Sequence, residues 1–112
     1  MKELYKKYIR EYTFPEIFCP GCGYGIFLNA FIRALDELGI KKGDIGIVSG
    51  GGCGAWMGMN LDVDVFKCLH GRSIAFAEGV KIARPDKPVV AFTGDGENVG
   101  IGGNHMIHAA RR

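Results

Sequence analysis

Three short stretches carry residue types that can do chemistry. The first is Cys19-Pro-Gly-Cys22, with Cys53 further along. Two thiolates separated by Pro-Gly can close a tight turn around one metal centre, and Gly23 lets backbone N–H groups turn toward the sulfurs. Zinc and iron–sulfur clusters both use this spacing, so it does not choose between metals. A pair of buried or redox-active cysteines is the other reading. The second stretch is Thr93-Gly-Asp-Gly-Glu97, which follows an apolar run. A carboxylate between two glycines at a strand end suits a hard cation such as Mg²⁺. That cation can bridge to a diphosphate whose other oxygens accept backbone N–H bonds. The same residues also fit a plain Gly-Asp-Gly turn. Gly94-x-Gly96-x-x-x-Gly100 reads as a variant dinucleotide fingerprint, but Asp95 would then face a bare diphosphate. The acidic ribose partner, about twenty residues on, would also fall beyond Arg112. The third stretch is His70-Gly71-Arg72, just ahead of a helical pattern. A His and an Arg at a helix N-terminus can hold an anionic group; alone, His70 reads as a local cap or a core histidine.

Something must position these stretches. Residues 1–14 place Leu4, Tyr5, Tyr8, Ile9 and Tyr12 at helical spacing, as a short amphipathic helix or a docking arm that Pro15 ends. Residues 18–23 read as a tight loop. From Tyr24 to Leu38 the pattern is helical: Ile26, Phe27, Ala30, Phe31, Ala34, Leu35 and Leu38 form one stripe, opposite Asn29, Arg33, Asp36 and Glu37. Residues 45–49 read as a short strand, and the run Gly50–Gly54 forbids regular structure. Residues 60–69 are ambiguous, with room for a second short strand. His70–Arg84 reads as a helix stopped by Pro85, Pro88–Thr93 as a buried parallel strand, and residues 102–112 as helix. Helices alternating with strands imply an α/β layer structure with a parallel sheet. Ligands sit at the carboxyl ends of such strands, so Gly50–Gly54 and Gly94–Gly96 are expected to face one crevice.

Composition sets the bounds. The chain has 112 residues, with 47% hydrophobic and 23% charged, which suits one small folded domain and argues against disorder. Fourteen basic against twelve acidic residues give a net charge of +2, no electrostatic case for nucleic acid or an anionic membrane. No apolar run reaches transmembrane length and no signal peptide is visible, so a cytoplasmic location is expected. Glycine is enriched, 18 residues, in clusters that suit close backbone approach. Four cysteines in a cytosolic chain suggest metal or redox chemistry before disulfides.

Order and spacing together are more specific than any single stretch. Phe18-Cys-Pro-Gly-Cys-Gly23, Ser49-Gly-Gly-Gly-Cys-Gly54, His70-Gly-Arg72, Ala83-Arg-Pro85, Gly94-Asp-Gly96 and Ile101–Arg112 resemble the β subunit of 2-oxoacid:ferredoxin oxidoreductases, the thiamine-diphosphate-binding subunit. The resemblance runs from about Phe18 to the last residue. It implies a doubly wound α/β module over residues 18–112, incomplete at the C-terminus, with residues 1–17 as an N-terminal arm. It implies that Cys19, Cys22 and Cys53 ligate a [4Fe–4S] cluster, and that Gly51, Gly52, Cys53, Gly54 and His70 contact thiamine diphosphate. Asp95 would hold Mg²⁺, with Gly96 and Glu97 against the diphosphate; the family more often has Asp at the Glu97 position. The implied reaction is oxidative decarboxylation of a 2-oxoacid to acyl-coenzyme A with electrons passed to ferredoxin. The implied partner is an α (or α/γ) subunit, which would supply the carboxylate that activates the cofactor.

The family's thiamine motif continues past Gly-Asp-Gly to an Asn that completes the Mg²⁺ site, and its fourth cluster cysteine lies further on. Both would fall after Arg112, since Asn98 and Asn104 are too close to Asp95. The chain is therefore expected to be an N-terminal portion of the subunit, inactive alone. Cys68 has no family counterpart; Val65-Phe-Lys-Cys68-Leu69 reads as a half-buried apolar setting. A four-cysteine zinc module (Cys19, Cys22, Cys53, Cys68) and a nicotinamide-dependent dehydrogenase fragment are the alternative functions.

Overall fold

The run Ile45-Gly-Ile-Val-Ser49 is the most deeply buried part of the chain, and the sheet is built on it. The computed structural model describes residues 2–112. Its elements are α1 (Lys2–Tyr8), α2 (Gly23–Glu37), β1 (Gly46–Ser49), α3 (Cys53–Asn60), β2 (Asp64–Lys67), α4 (Ser73–Ala83), β3 (Val89–Phe92) and α5 (Gly103–Arg111). Single 3-10 turns lie at Glu11–Thr13 and Lys42–Asp44, and a π-helical segment spans Gly96–Ile101. Ile47, Val48 and Ser49 are all buried, as in a central strand covered on both faces. β1 pairs in parallel with β2, Ile47 opposite Val65, and with β3, Ile47 opposite Val90, giving the order β2-β1-β3.

The chain leaves β1 through α3 to β2, then crosses back through α4 to β3 on the far side. Right-handed crossovers in opposite directions put α3 and α4 on opposite faces. In keeping with this, α3 packs beside α2 and α4 beside α5. The expected doubly wound α/β arrangement is what forms. Its two faces are unequal. Tyr8, Leu28, Ile32, Leu35, Ile47, Met57, Leu61 and Phe92 make one core on the α1–α2–α3 side. On the other side α4 buries only Ser73 fully, and an open groove runs between α4, α5 and β3 past Ile74, Ile82, Val89 and Ala91.

Three expectations change. The glycine run does not forbid regular structure: Gly52, at φ +73°, turns the chain from β1 straight into α3. The buried face of α2 is Leu28, Ile32 and Leu35, while Ile26 and Leu38 are 74% and 72% exposed. That helix is apolar around much of its circumference, so periodicity alone misplaces its inner face. Docking of α1 selects it instead: the Tyr5 hydroxyl donates to Asn29 Oδ1 at 2.7 Å and Lys7 pairs with Asp36 at 2.5 Å. β3 forms in parallel where the apolar run places it, but it pairs on one side only, and Val89, Val90 and Ala91 are half-buried. The N-terminal stretch is a helix whose end joins the core. Ile9 bridges Leu61 antiparallel, the Asp62 N–H donates to Tyr8 O, and the Tyr8 hydroxyl donates to Ile40 O at 3.0 Å. Among the described residues no helix is long and apolar enough to cross a membrane.

Candidate functional site

Strand order reverses at β1, so the crevice beyond the carboxyl ends of β1 and β3 is the topological switch point of the sheet. That is where ligands of doubly wound folds bind. The β1–α3 loop, the β2–α4 loop and the residues after β3 lie at this end of the sheet, and the Cys19–Cys22 loop leads into α2 beside it.

The two glycine clusters meet. A Cβ on Gly54 would stand 3.3 Å from the Gly94 nitrogen and 3.4 Å from the Thr93 carbonyl carbon, so only glycine lets the head of α3 lie this close to the end of β3. Further along α3, a Cβ on Gly58 would sit 3.2 Å from Ser49 Oγ, which brings the helix down onto β1. His70 is exposed, and its imidazole lies against Gly51, where an added Cβ would overlap the ring. Arg72 donates to the His70 carbonyl at 3.1 Å and so braces its own loop.

Asp95 and Gly96 are exposed at the end of β3. The Asp95 carboxylate is open to a cation, and Gly96 leaves the backbone accessible, so this donor set fits Mg²⁺ bridging to a diphosphate. Glu97 differs from its expected placement. Its side chain turns inward and is only 3% exposed, and the Ser73 hydroxyl donates to its Oε1 at 2.5 Å. The carboxylate lies under Gly50, where a Cβ would overlap it. A diphosphate could meet Glu97 only through the backbone N–H. Half-buried Cys68 borders this group, with its Sγ 3.6 Å from Ser73 Oγ. Glu97 Oε2 and Ser49 Oγ are buried without a protein partner. Sequence reasoning missed Ser73; its one signal was its place at the head of a helix, directly after His70-Gly-Arg72.

All four cysteines are free thiols. The Cys22 N–H donates to the Cys19 carbonyl at 2.9 Å, closing the expected tight turn. Cys53 opens α3 and is exposed, as is Cys19, while Cys22 is half-buried. The donor chemistry is that of a thiolate metal site. Even so, no three His, Cys, Asp or Glu side chains among the described residues are gathered as a metal site. Cys68, beside Ser73, does not join them.

Tyr24, in the first turn of α2, stands where these parts meet. Its hydroxyl lies 3.3 Å from the Cβ positions of both Gly54 and Gly94, and its ring packs on Phe18 with centroids 5.5 Å apart. Burial raises its pKa, and the neighbouring Cys53, Asp95, Cys22 and Glu97 raise it further. A cavity of 410 Å³ opens beside it, lined by Cys22, Phe27, Met57, Phe92 and Thr93.

Comparison with known proteins agrees with this geometry. Residues 52–112 match the family model of the thiamine pyrophosphate enzyme, C-terminal TPP binding domain. The 2-oxoglutarate synthase subunit KorB of Methanocaldococcus jannaschii is 55% identical over 95% of this chain and 39% of its own length. Its namesake from Methanothermobacter marburgensis is 47% identical over 96% of this chain and 38% of its own. A solved 2-oxoglutarate:ferredoxin oxidoreductase from Magnetococcus marinus, with 2-oxoglutarate, coenzyme A and succinyl-CoA bound, superposes with a TM-score of 0.85 at 43% identity. That match covers 93% of this chain and 35% of the solved one. The chain thus spans about two fifths of the length of the curated relatives it matches. With the switch-point crevice, the paired glycine turns and the Gly-Asp-Gly carboxylate in one place, the chain belongs to the thiamine pyrophosphate enzyme family, as a C-terminal TPP-binding domain.

Proposed function

We propose that the chain serves in the β subunit of a 2-oxoacid:ferredoxin oxidoreductase, where it holds thiamine diphosphate through Mg²⁺. The observation that supports this most is the meeting of Gly54 with Gly94 at the sheet's switch point, with Asp95 exposed beside it. In this reading Asp95 binds Mg²⁺, and the backbone N–H groups of Gly96 and Glu97 bind diphosphate oxygens. Gly51, Gly52, Cys53, Gly54 and His70 flank the cofactor. When bound, thiamine diphosphate supplies an electron sink for the carbanion left when a 2-oxoacid loses CO₂. Cys19, Cys22 and Cys53 are three ligands of a [4Fe–4S] cluster. Further ligands to the cluster and the Mg²⁺ come from outside these 112 residues. The partners are an α subunit and ferredoxin, with a 2-oxoacid and coenzyme A as substrates and a cytoplasmic setting.

The test uses the β subunit that carries this sequence, assembled with its α partner. Asp95→Ala should abolish Mg²⁺-dependent binding of thiamine diphosphate, read by calorimetry, and leave the broad absorbance near ~400 nm of the anaerobic protein unchanged. Cofactor binding at the wild-type level would refute the metal assignment. One zinc per chain and no colour would instead favour the four-cysteine module.

A further inference from the structure

Tyr24 was not among the residues that chemistry or resemblance singled out, yet it touches three parts of the site. Its ring rests on Phe18 of the cysteine loop, and its hydroxyl reaches the backbone of both the β1–α3 turn and the end of β3. Packing on Phe18 needs only the ring. The oxygen at its far end stands over Gly54 and over Gly94, one residue before Asp95.

We propose that Tyr24 is a cofactor-binding residue whose phenol O–H donates a hydrogen bond to a diphosphate oxygen bound beside the contact of Gly54 with Gly94. The acidic side chains beside this position are the carboxylates of Asp95 and Glu97. A polyanion bound among them requires a cation and donors that bring no negative charge. A phenol at neutral pH is such a donor. Two glycines make its reach possible, because a Cβ on either would lie 3.3 Å from the oxygen and crowd it. The inference rests on the reading of the Asp95 crevice as the diphosphate site.

The experiment compares Tyr24→Phe and Asp95→Ala with wild type in the assembled oxidoreductase. Calorimetry measures Mg²⁺-dependent binding of thiamine diphosphate and of inorganic pyrophosphate, and the thermal midpoint of the cofactor-free protein is recorded. Tyr24→Phe keeps the ring on Phe18, so the midpoint should not move. Both ligands should weaken about tenfold, the scale of one lost hydrogen bond to a charged group. Unchanged affinity for both ligands would overturn the proposal, as would weaker thiamine diphosphate with unchanged pyrophosphate. A drop in affinity matched by a drop in the midpoint would make Tyr24 a packing residue and overturn it too. If Asp95→Ala abolishes binding while Tyr24→Phe binds like wild type, only the Tyr24 role fails. If Asp95→Ala itself binds like wild type, the reading of the crevice fails with it.

Discussion

Glu97 and Gly50 show how little room the site leaves beneath its surface. The carboxylate is buried under the β1–α3 turn and takes its hydrogen bond from Ser73. Ser73→Ala removes that donor from a buried acceptor and should cost about 1–3 kcal/mol in urea unfolding of the subunit. Gly50→Ala drives a methyl into the same carboxylate and should cost about 1–3 kcal/mol by overpacking. The two changes share one partner, so the double mutant should fall short of or exceed the sum; strict additivity would mean that Glu97 does not link them. The cysteines separate in the same way. Cys53→Ser should lose both iron and 2-oxoacid oxidation, whereas Cys68→Ser, at a thiol whose contact is Ser73, should keep them. Equal iron loss from the two would revive the four-cysteine site. Of the candidate residues, the placement of Cys53, His70 and Asp95 at the carboxyl end of the sheet was legible from type and spacing. The inward turn of Glu97 was not, because it depends on Ser73 arriving from α4, a contact that no local pattern encodes.

Between elements, a clip fastens α1 to the turn after α3. Asp62 pairs with Lys42 and lies 3.9 Å from Arg10, while its N–H holds Tyr8 O at 2.8 Å. The hydrogen bond from Lys42 holds the Asp62 carboxyl below its usual range, helped by the charges of Lys42 and Arg10. A lowered folded-state pKa means the contribution is complete above the unfolded value of about 3.9 and is lost as pH falls through the lower folded value. The groups are exposed, so salt should weaken the clip. Hydrogen exchange at Tyr8–Arg10 should therefore lose protection below about pH 4, less steeply in high salt, and Asp62→Asn should flatten that dependence. An unchanged profile in Asp62→Asn would remove Asp62 from the clip. Element types were largely readable: β1 and β3 from apolar runs, α2, α4 and α5 from periodicity and breakers. The miss at α3 has a physical cause. Its glycines serve close contact with Gly94, Thr93 and Ser49, and a helix that must lie this near a sheet reads as a loop by propensity.

For the whole molecule, the decisive property is the imbalance of its two faces. Residues on the α1–α2–α3 face share one core, while on the α4–α5 face Ile82 and Ile107 are 81% and 60% exposed. Hydrogen exchange on residues 1–112 alone should be slowest in β1 and α2 and markedly faster in α4 and α5. Equal protection of both faces would contradict the uneven core. The open side of β3 is an unpaired parallel edge, a template for association, and light scattering of the isolated chain should rise with concentration. The strand order β2-β1-β3 carries one more consequence, which concerns time rather than space. Because the direction of winding reverses at β1, the crevice draws on Tyr24, Gly54, His70 and Asp95, each contributed by a different stage of the chain. Asp95 cannot join the other three until β3 has docked beside β1, and non-local parallel pairing is slow to form. A ligand that recognises only the finished crevice would then bind after β3 has docked, and would add its binding free energy to the folded state alone.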